Sequence, residues 1–361
     1  VFDEHYFFYF YALTKSKFFK EQWLGKGGIQ KNTVASDRAK TYLPKINDLN
    51  CVKFLSIVTQ AIIKKEKLIK QRISKIYELI ETELNSNQNK VDFKFSFPNI
   101  NELQEIGRLD TSMYSYEYKN TKLKITNYKY GSQTFFNLNN SNVNFKKGPN
   151  LAISVIGYSI YSKTNLGSLY QLLLSKNFSN HNTLTNVEYI GNNHPLTRIC
   201  KDDLLYSCRG DMGRMLFMID EPEKSTTNFD CAIISFPNQD RYKTIFIMQF
   251  LNYLREINYV SKIAITGSGA DSFTKYQFDL LDIPNFPEEK QTEIALLYHN
   301  PNSIYQADTF TLDNFLEQDN AFNETAGIYE LDKTAKELKE ILNKAIDDIA
   351  NDREVTINFN L

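Results

Sequence analysis

Thr266-Gly267-Ser268-Gly269 follows the apolar run Lys262–Thr266 and has the outline of a turn that cradles a phosphate, as in dinucleotide or S-adenosylmethionine sites. The outline is incomplete: Ser272 stands where a third glycine belongs, Pro284 leaves room for only a short helix, and no suitable acid stands about twenty residues on. Asp282 with Glu288-Glu289-Lys290 has the residue types of a metal-dependent nuclease, in which acids hold Mg²⁺ beside the scissile phosphate. Its counterpart near the N-terminus keeps only Asp48, so the capping of a helix start explains both copies and cleavage explains one. Methyl transfer to a base amino group needs a flipped base held by an Asn/Asp-Pro-Pro-aromatic loop, and the chain has no Pro-Pro. His5, His181, His194 and His299 are scattered, and Cys51, Cys200, Cys208 and Cys231 contain no CxxC pair. Neither a zinc site nor a disulfide framework is indicated, and buried free thiols of a reducing cytoplasm are the expectation.

The basic residues give a stronger signal. Cys208-Arg209-Gly210-Asp211-Met212-Gly213-Arg214 is a Gly-punctuated loop between two apolar runs. An Arg in such a turn reaches a phosphate or forks onto guanine O6 and N7; equally, Asp211 or Asp202-Asp203 can hold Arg209 and Arg214 in a plain hairpin. The window Tyr118–Val187 contains Lys119, Lys122, Lys124, Lys129, Lys146, Lys147, Lys163 and Lys176 but no Asp or Glu, where an even mixture would place about eight acids. Interleaved with Tyr114, Tyr116, Tyr118, Tyr128 and Tyr130, these lysines suit a surface that follows a nucleic-acid backbone, although a solvated Lys face has the same composition. Lys26, Lys31, Ser268 and Lys275, in and near the two Gly-rich loops, are further DNA-binding candidates.

The elements that must position these residues come from charge and period. The formal net charge of −1 conceals sorting: residues 1–90 hold 16 basic and 9 acidic residues, 91–290 hold 21 and 20, and 291–361 hold 5 and 14. No apolar run approaches the roughly 18 residues of a membrane span, and no signal peptide opens the chain, so a cytoplasmic protein is expected. Val1-Phe2-Asp3-Glu4 lacks a Met, as in a fragment or a processed product. From Asp48 to Leu84 there is no Gly or Pro, and Ile62, Ile69, Ile73, Ile76 and Ile80 step by seven, four, three and four. Leu331, Ala335, Leu338, Leu342, Ala345 and Ile349 continue the same 3.5-residue period, which predicts coiled-coil seams. The first helix is basic and the second acidic, which suits pairing with each other. Between them, Lys122–Tyr130, Leu151–Tyr161, Leu204–Ser207, Arg214–Ile219, Cys231–Phe236 and Lys262–Thr266 read as strands, so the fold class is α+β. Residues 299–327 read as irregular.

One supersecondary unit occurs twice. Leu43-Pro44-Lys45-Ile46-Asn47-Asp48 and Ile283-Pro284-Asn285-Phe286-Pro287-Glu288 are both aliphatic-Pro-x-apolar-x-acid before a helix, with Gly27 and Gly267 each 17 residues before the Pro. Aromatic helical stretches, Tyr6–Phe19 and Tyr242–Tyr253, precede both copies. With Gly107-Arg108-Leu109-Asp110 and Tyr114, and with Ile199-Cys200-Lys201-Asp202-Asp203-Leu204-Leu205 leading into Ser207-Cys208-Arg209-Gly210, the arrangement resembles the DNA-specificity (S) subunit of type I restriction–modification systems. The resemblance covers most of 1–297 and the seam at 331–350. It implies the C-terminal part of a first target-recognition domain in 1–47, a first conserved helical region in 48–88, a second target-recognition domain in 89–287, and a second helical region in 288–361 interrupted at 299–327. It further implies an antiparallel coiled coil and double-stranded DNA as ligand. Two methyltransferase subunits and a motor-nuclease subunit are the implied partners, with no catalysis or cofactor in this chain; S-adenosylmethionine, Mg and ATP fall to the partners. A helix of about 35 residues spans roughly 50 Å, enough to hold two readers at a fixed phase on a duplex of about 3.4 Å per base pair. The second reading is the specificity module of a single-chain type IIG enzyme. Beyond DNA reading stand an enzyme fragment with its own activity and a coiled-coil scaffold that binds only protein.

Overall fold

The structure is a computed structural model that describes residues 4–22, 40–91, 93–109, 111–140, 143–237, 240–264 and 272–360. The described residues form twelve α-helices: α1 Glu4–Lys15, α2 Lys17–Glu21, α3 Leu49–Ser86, α4 Ile100–Ile106, α5 Tyr116–Thr126, α6 Ile153–Ile156, α7 Arg241–Glu256, α8 Tyr259–Ile263, α9 Lys275–Asp279, α10 Glu288–Tyr298, α11 Phe315–Thr325 and α12 Ile328–Ala350. The strands are β1 Ser132–Thr134, β2 Asn144–Lys147, β3 Ile160–Ser162, β4 Tyr170–Leu172, β5 Glu188–Gly191, β6 Leu204–Ser207, β7 Met215–Phe217, β8 Ser225–Thr226, β9 Cys231–Ser235 and β10 Asp282–Pro284. The class is α+β. The chain divides into two compact units, one of residues 1–73 with 297–361 and one of residues 74–296.

The first unit is helical. Asp48 starts α3 by accepting hydrogen bonds from the amides of Asn50 (2.9 Å) and Cys51 (3.4 Å), which is the capping role read from the sequence. The segment 41–48 before it is neither helix nor strand, and the Tyr9 hydroxyl ties α1 to it by donating to the Pro44 carbonyl at 2.8 Å. Tyr9, Ala12 and Leu13 of α1 share a core with Val52, Phe54, Leu55, Val58 and Ile62 of α3 and with Leu338, Ile341, Ala345, Ile346 and Ile349 of α12. The pairing of α3 with α12 is antiparallel. Glu66 meets Lys339 at 2.6 Å, while Arg72, further along α3, lies in the field of Glu330, earlier in α12.

The buried band on α12 is wider than the expected seam. Leu331, Ala335, Leu338, Ala345 and Ile349 are buried as the heptad predicts, Leu342 is half-buried, and Ile341 and Ile346 are buried in addition. Core residues of α1 and Phe315 of α11 also pack here, so the helix needs an apolar face broader than a two-stranded seam. On α3, Ile62 and Ile69 are buried and Ile73 is half-buried. Ile76 and Ile80 are buried as well, in the part of α3 that belongs to the second unit.

Residues 299–327 are not wholly irregular, because Phe315–Thr325 is helical. Its buried face combines the apolar Phe315 and Phe322 with a polar knot at Asp319 and Asn323. Lys65 Nζ, with its side chain 0% exposed, meets Asp319 at 2.8 Å and donates to Asn323 Oδ1 at 2.7 Å. It also sits over the rings of Tyr305 and Phe322 at 4.9 and 4.7 Å.

The second unit is built on the sheet β2-β9-β6-β7, all neighbours antiparallel. One face carries Leu205, Leu216 and Ile233 into a core with Leu173, Phe178 and Ile199. The other sets Phe145 and Tyr206 against Phe278, at centroid distances of 5.3 and 4.8 Å. A second sheet has the order β3-β5-β4-β8, and β1 pairs with β10, with Gln133 opposite Ile283. The Ile283-Pro284 motif is therefore extended before α10, whereas its first-copy counterpart before α3 has no assigned strand. Three expected strands are corrected. Lys122–Thr126 belongs to α5, whose start is capped by Ser115 accepting from the Tyr118 amide, and Lys262-Ile263 ends α8. Within Leu151–Tyr161, Ile153–Ile156 is a short helix and only Ile160 and Tyr161 are strand, as the start of β3.

Candidate nucleic-acid interface

A stretch without acids in sequence is not acid-free in space. Lys119 on α5 turns inward: it meets Glu102 at 2.8 Å, donates to the Ser96 carbonyl at 3.1 Å, and lies 5.9 Å from the rings of Phe95 and Tyr114. Lys122 approaches Asp282 at 4.0 Å, and Lys176 meets Glu188 at 2.8 Å. Burial raises the Asp282 pKa, and Lys122 opposes the shift. The tyrosine interleaving also resolves differently from the expectation. Tyr114, Tyr118 and Tyr128 are buried, and only Tyr116 and Tyr130 of that set are exposed. Tyr118 stacks on Tyr259 at 4.9 Å with its hydroxyl pushed up to about 12 by burial, and Tyr128 donates to Glu83 at 2.6 Å.

What stays available is more compact. Lys146 and Lys147 are exposed at the end of β2, an edge strand, and point to opposite faces of the sheet because strand side chains alternate. Lys129 is exposed over the Tyr130 ring at 5.3 Å, Lys275 is exposed over the Phe136 ring at 5.1 Å, and Lys163 is exposed beyond β3. Lys124 is half-buried. None of these six makes an ion pair among the described residues. Lys26, Lys31 and Ser268, with both Gly-rich loops, lie outside the described residues.

The loop Cys208–Arg214 joins β6 to β7 as a hairpin. Gly210 and Gly213 have φ of +69° and +79°, and the chain closes through Gly213 N–H to Ser207 O (2.9 Å) and Ser207 N–H to Arg214 O (2.8 Å). The two arginines have different settings. Arg214 turns in, with Nη1 donating to the Phe178 carbonyl at 3.0 Å and Nη2 3.3 Å from Asp211. Arg209 is half-exposed over the Phe229 ring at 5.4 Å, with Asp230 no nearer than 3.8 Å, so its fork can take a further acceptor.

The chemistry-bearing sets of the sequence are not assembled for bond-making. Lys290 turns to Glu293 (2.7 Å) while Asp282 faces Lys122, so the nuclease-like set does not converge. No group of three or more His, Cys, Asp or Glu among the described residues could hold a metal. Cys51, Cys208 and Cys231 are buried, with burial pushing their thiols up to about 11, 12 and 11; Cys200, against expectation, is exposed. No described helix is long and apolar enough to cross a membrane. Sequence reading passed over Arg198 and Lys201, which stand exposed around a cleft shared with Lys146.

No protein-family model and no curated sequence matches the chain. Solved structures do match. The S subunit of a type I restriction–modification system from M. genitalium is 13% identical, with a TM-score of 0.41 over 95% of this chain and 72% of that one. The HsdS subunit from Thermoanaerobacter tengcongensis is 14% identical, with a TM-score of 0.34 over 94% and 69%. A chain from a study of assembly and conformational transition of the type I R-M system gives 14% and 0.34 over 94% and 70%. The structural neighbours of this α+β chain are thus specificity subunits and an assembly of type I restriction–modification systems.

Proposed function

We propose that the chain is the non-catalytic specificity subunit of a type I restriction–modification complex. In this reading the unit 74–296 recognises one half of a bipartite duplex site, and the helical unit docks methyltransferase subunits. Adenine methylation by those subunits and cleavage by a motor-nuclease subunit are thereby directed to the site, with S-adenosylmethionine, Mg and ATP held by the partners in the cytoplasm.

The observation that carries the reading is the set of exposed Lys129, Lys146, Lys147 and Lys163, none in an ion pair among the described residues, in one unit with the half-exposed Arg209 hairpin. Free lysines supply the sequence-independent, counterion-releasing part of duplex binding, and a guanidinium fork on a rigid turn supplies base or phosphate recognition. The experiment is duplex binding by the full chain. Lys146→Ala with Lys147→Ala is expected to weaken all sequences alike and to flatten the slope of log K against log salt by about 0.9 for each phosphate no longer neutralised. Arg209→Ala is expected to change which sequences are selected. An unchanged salt slope would sink the first assignment, and identical sequence preference would count against the second.

A further inference from the structure

We propose that a cleft beside β2 and β9, rimmed by Lys146, Arg198 and Lys201, grips a phosphodiester of the DNA backbone. The proposal rests on the DNA-binding reading and names a site within it.

The cleft has a volume of about 390 Å³, within the roughly 300–1,000 Å³ of clefts that take small-molecule-sized groups. Its geometry follows from one side chain. Asp203, 6% exposed, accepts the Cys200 amide at 2.7 Å and the Ser235 hydroxyl at 2.6 Å, and so folds the turn 200–203 back onto β9. Asp202 takes φ of +65° in that turn, and its carboxylate is held by Arg241 at 2.8 Å. Asp203 is thereby engaged by Ser235 and the Cys200 amide, and the half-exposed Asp202 carboxylate, which like Asp203 lines the cleft, is paired with Arg241, while Arg198 and Lys201 stand exposed on the rim. Lys146 completes the rim from β2, where it pairs with Ile233 of β9. None of the three cations makes an ion pair within 4 Å among the described residues, and Lys146 lies in the field of Asp203. Three cations of two geometries, one of them a planar fork, around the mouth of one cleft suit an anion with several oxygens, and phosphate is the anion that duplex DNA presents. Asp203 is a positioning residue here.

The test is the salt dependence of duplex binding by the full chain, between about 50 and 200 mM, comparing wild type with Arg198→Ala plus Lys201→Ala. The expected slope falls by about 0.9 if the pair neutralises one phosphate and by about 1.8 if it neutralises two. The exchange Arg198→Lys with Lys201→Arg is expected to keep the wild-type slope, and unchanged thermal melts confirm folding at these exposed positions. A wild-type chain that binds duplex while the alanine variant keeps its slope overturns the cleft and leaves the functional reading standing. So does an alanine variant that keeps its slope but loses a methyltransferase subunit, which would make the rim a protein-binding surface. A wild-type chain with no duplex affinity overturns the functional reading and the cleft with it.

Discussion

Lys65→Met in the full chain isolates the buried knot that holds α11 to α3. The lysine ammonium is fully buried, and desolvation lowers its pKa against the opposing field and hydrogen bond of Asp319. Methionine preserves most of the stem, so the loss is chiefly electrostatic. It leaves the Asp319 carboxylate 0% exposed, with only the Tyr305 hydroxyl (2.9 Å) and the Asn323 amide (2.8 Å) as donors among the described residues. Breaking one side of a buried pair costs about 3–5 kcal/mol. For a unit of about 140 residues that corresponds to a melting shift of about 10–20 °C. Lys65→Met with Asp319→Leu removes the orphaned charge and is expected to recover at least half of the loss, short of full recovery because Asn323 and Tyr305 lose a partner. Thermal and urea unfolding followed by helical circular dichroism measure both variants. A single variant that costs under about 1 kcal/mol, or a double variant as unstable as the single, would refute the reasoning.

Three further outcomes follow from the second unit. Gly213→Ala places a Cβ at φ +79° and 3.0 Å from the Arg255 side chain, so a loss of about 1–2 kcal/mol is expected in urea unfolding, and a neutral result would show that the hairpin relaxes freely. Burial raises the Asp203 pKa above its ordinary 3.8, so the folded state binds this proton more tightly than the unfolded chain does. Stability from this group is therefore present below 3.8 and lost as pH rises through the folded value; relative to Asp203→Asn, wild type should gain stability on acidification through that window, and the opposite trend would reverse the assignment. Tyr128→Phe removes the buried donor to Glu83 and should cost about 1–3 kcal/mol, read as a shift in the denaturation midpoint.

Much of the scaffold was legible because it rests on local rules. The apolar period marked α3 and α12, the Ile283-Pro284 motif marked an extended entry to a helix, and Leu204–Ser207 and Cys231–Ser235 are largely apolar runs that became central strands. Lys122-Leu123-Lys124-Ile125 alternates like a strand, yet Ser115 and Glu117 at its start are helix-capping residues, and capping decided the outcome. The lysine field was misread in part because a window along the chain cannot see Glu102 or Asp282 arriving from elsewhere in the fold. Arg198 and Lys201 lie outside the acid-free window, beside Asp202 and Asp203 in sequence, and in the fold those acids are bound by Arg241 and Ser235. The helix at 315–325 was missed because a buried lysine, invisible in its own sequence, supports it.

The proposed role is tested most directly by supplying this chain to methyltransferase subunits with S-adenosylmethionine and mapping the methylated adenines on a random-sequence duplex library. The expected result is methylation confined to one split sequence when the chain is present, none by the chain alone, and a changed sequence with Arg209→Ala. Methyl transfer by the isolated chain, or a methylation pattern that does not depend on the chain, would contradict it.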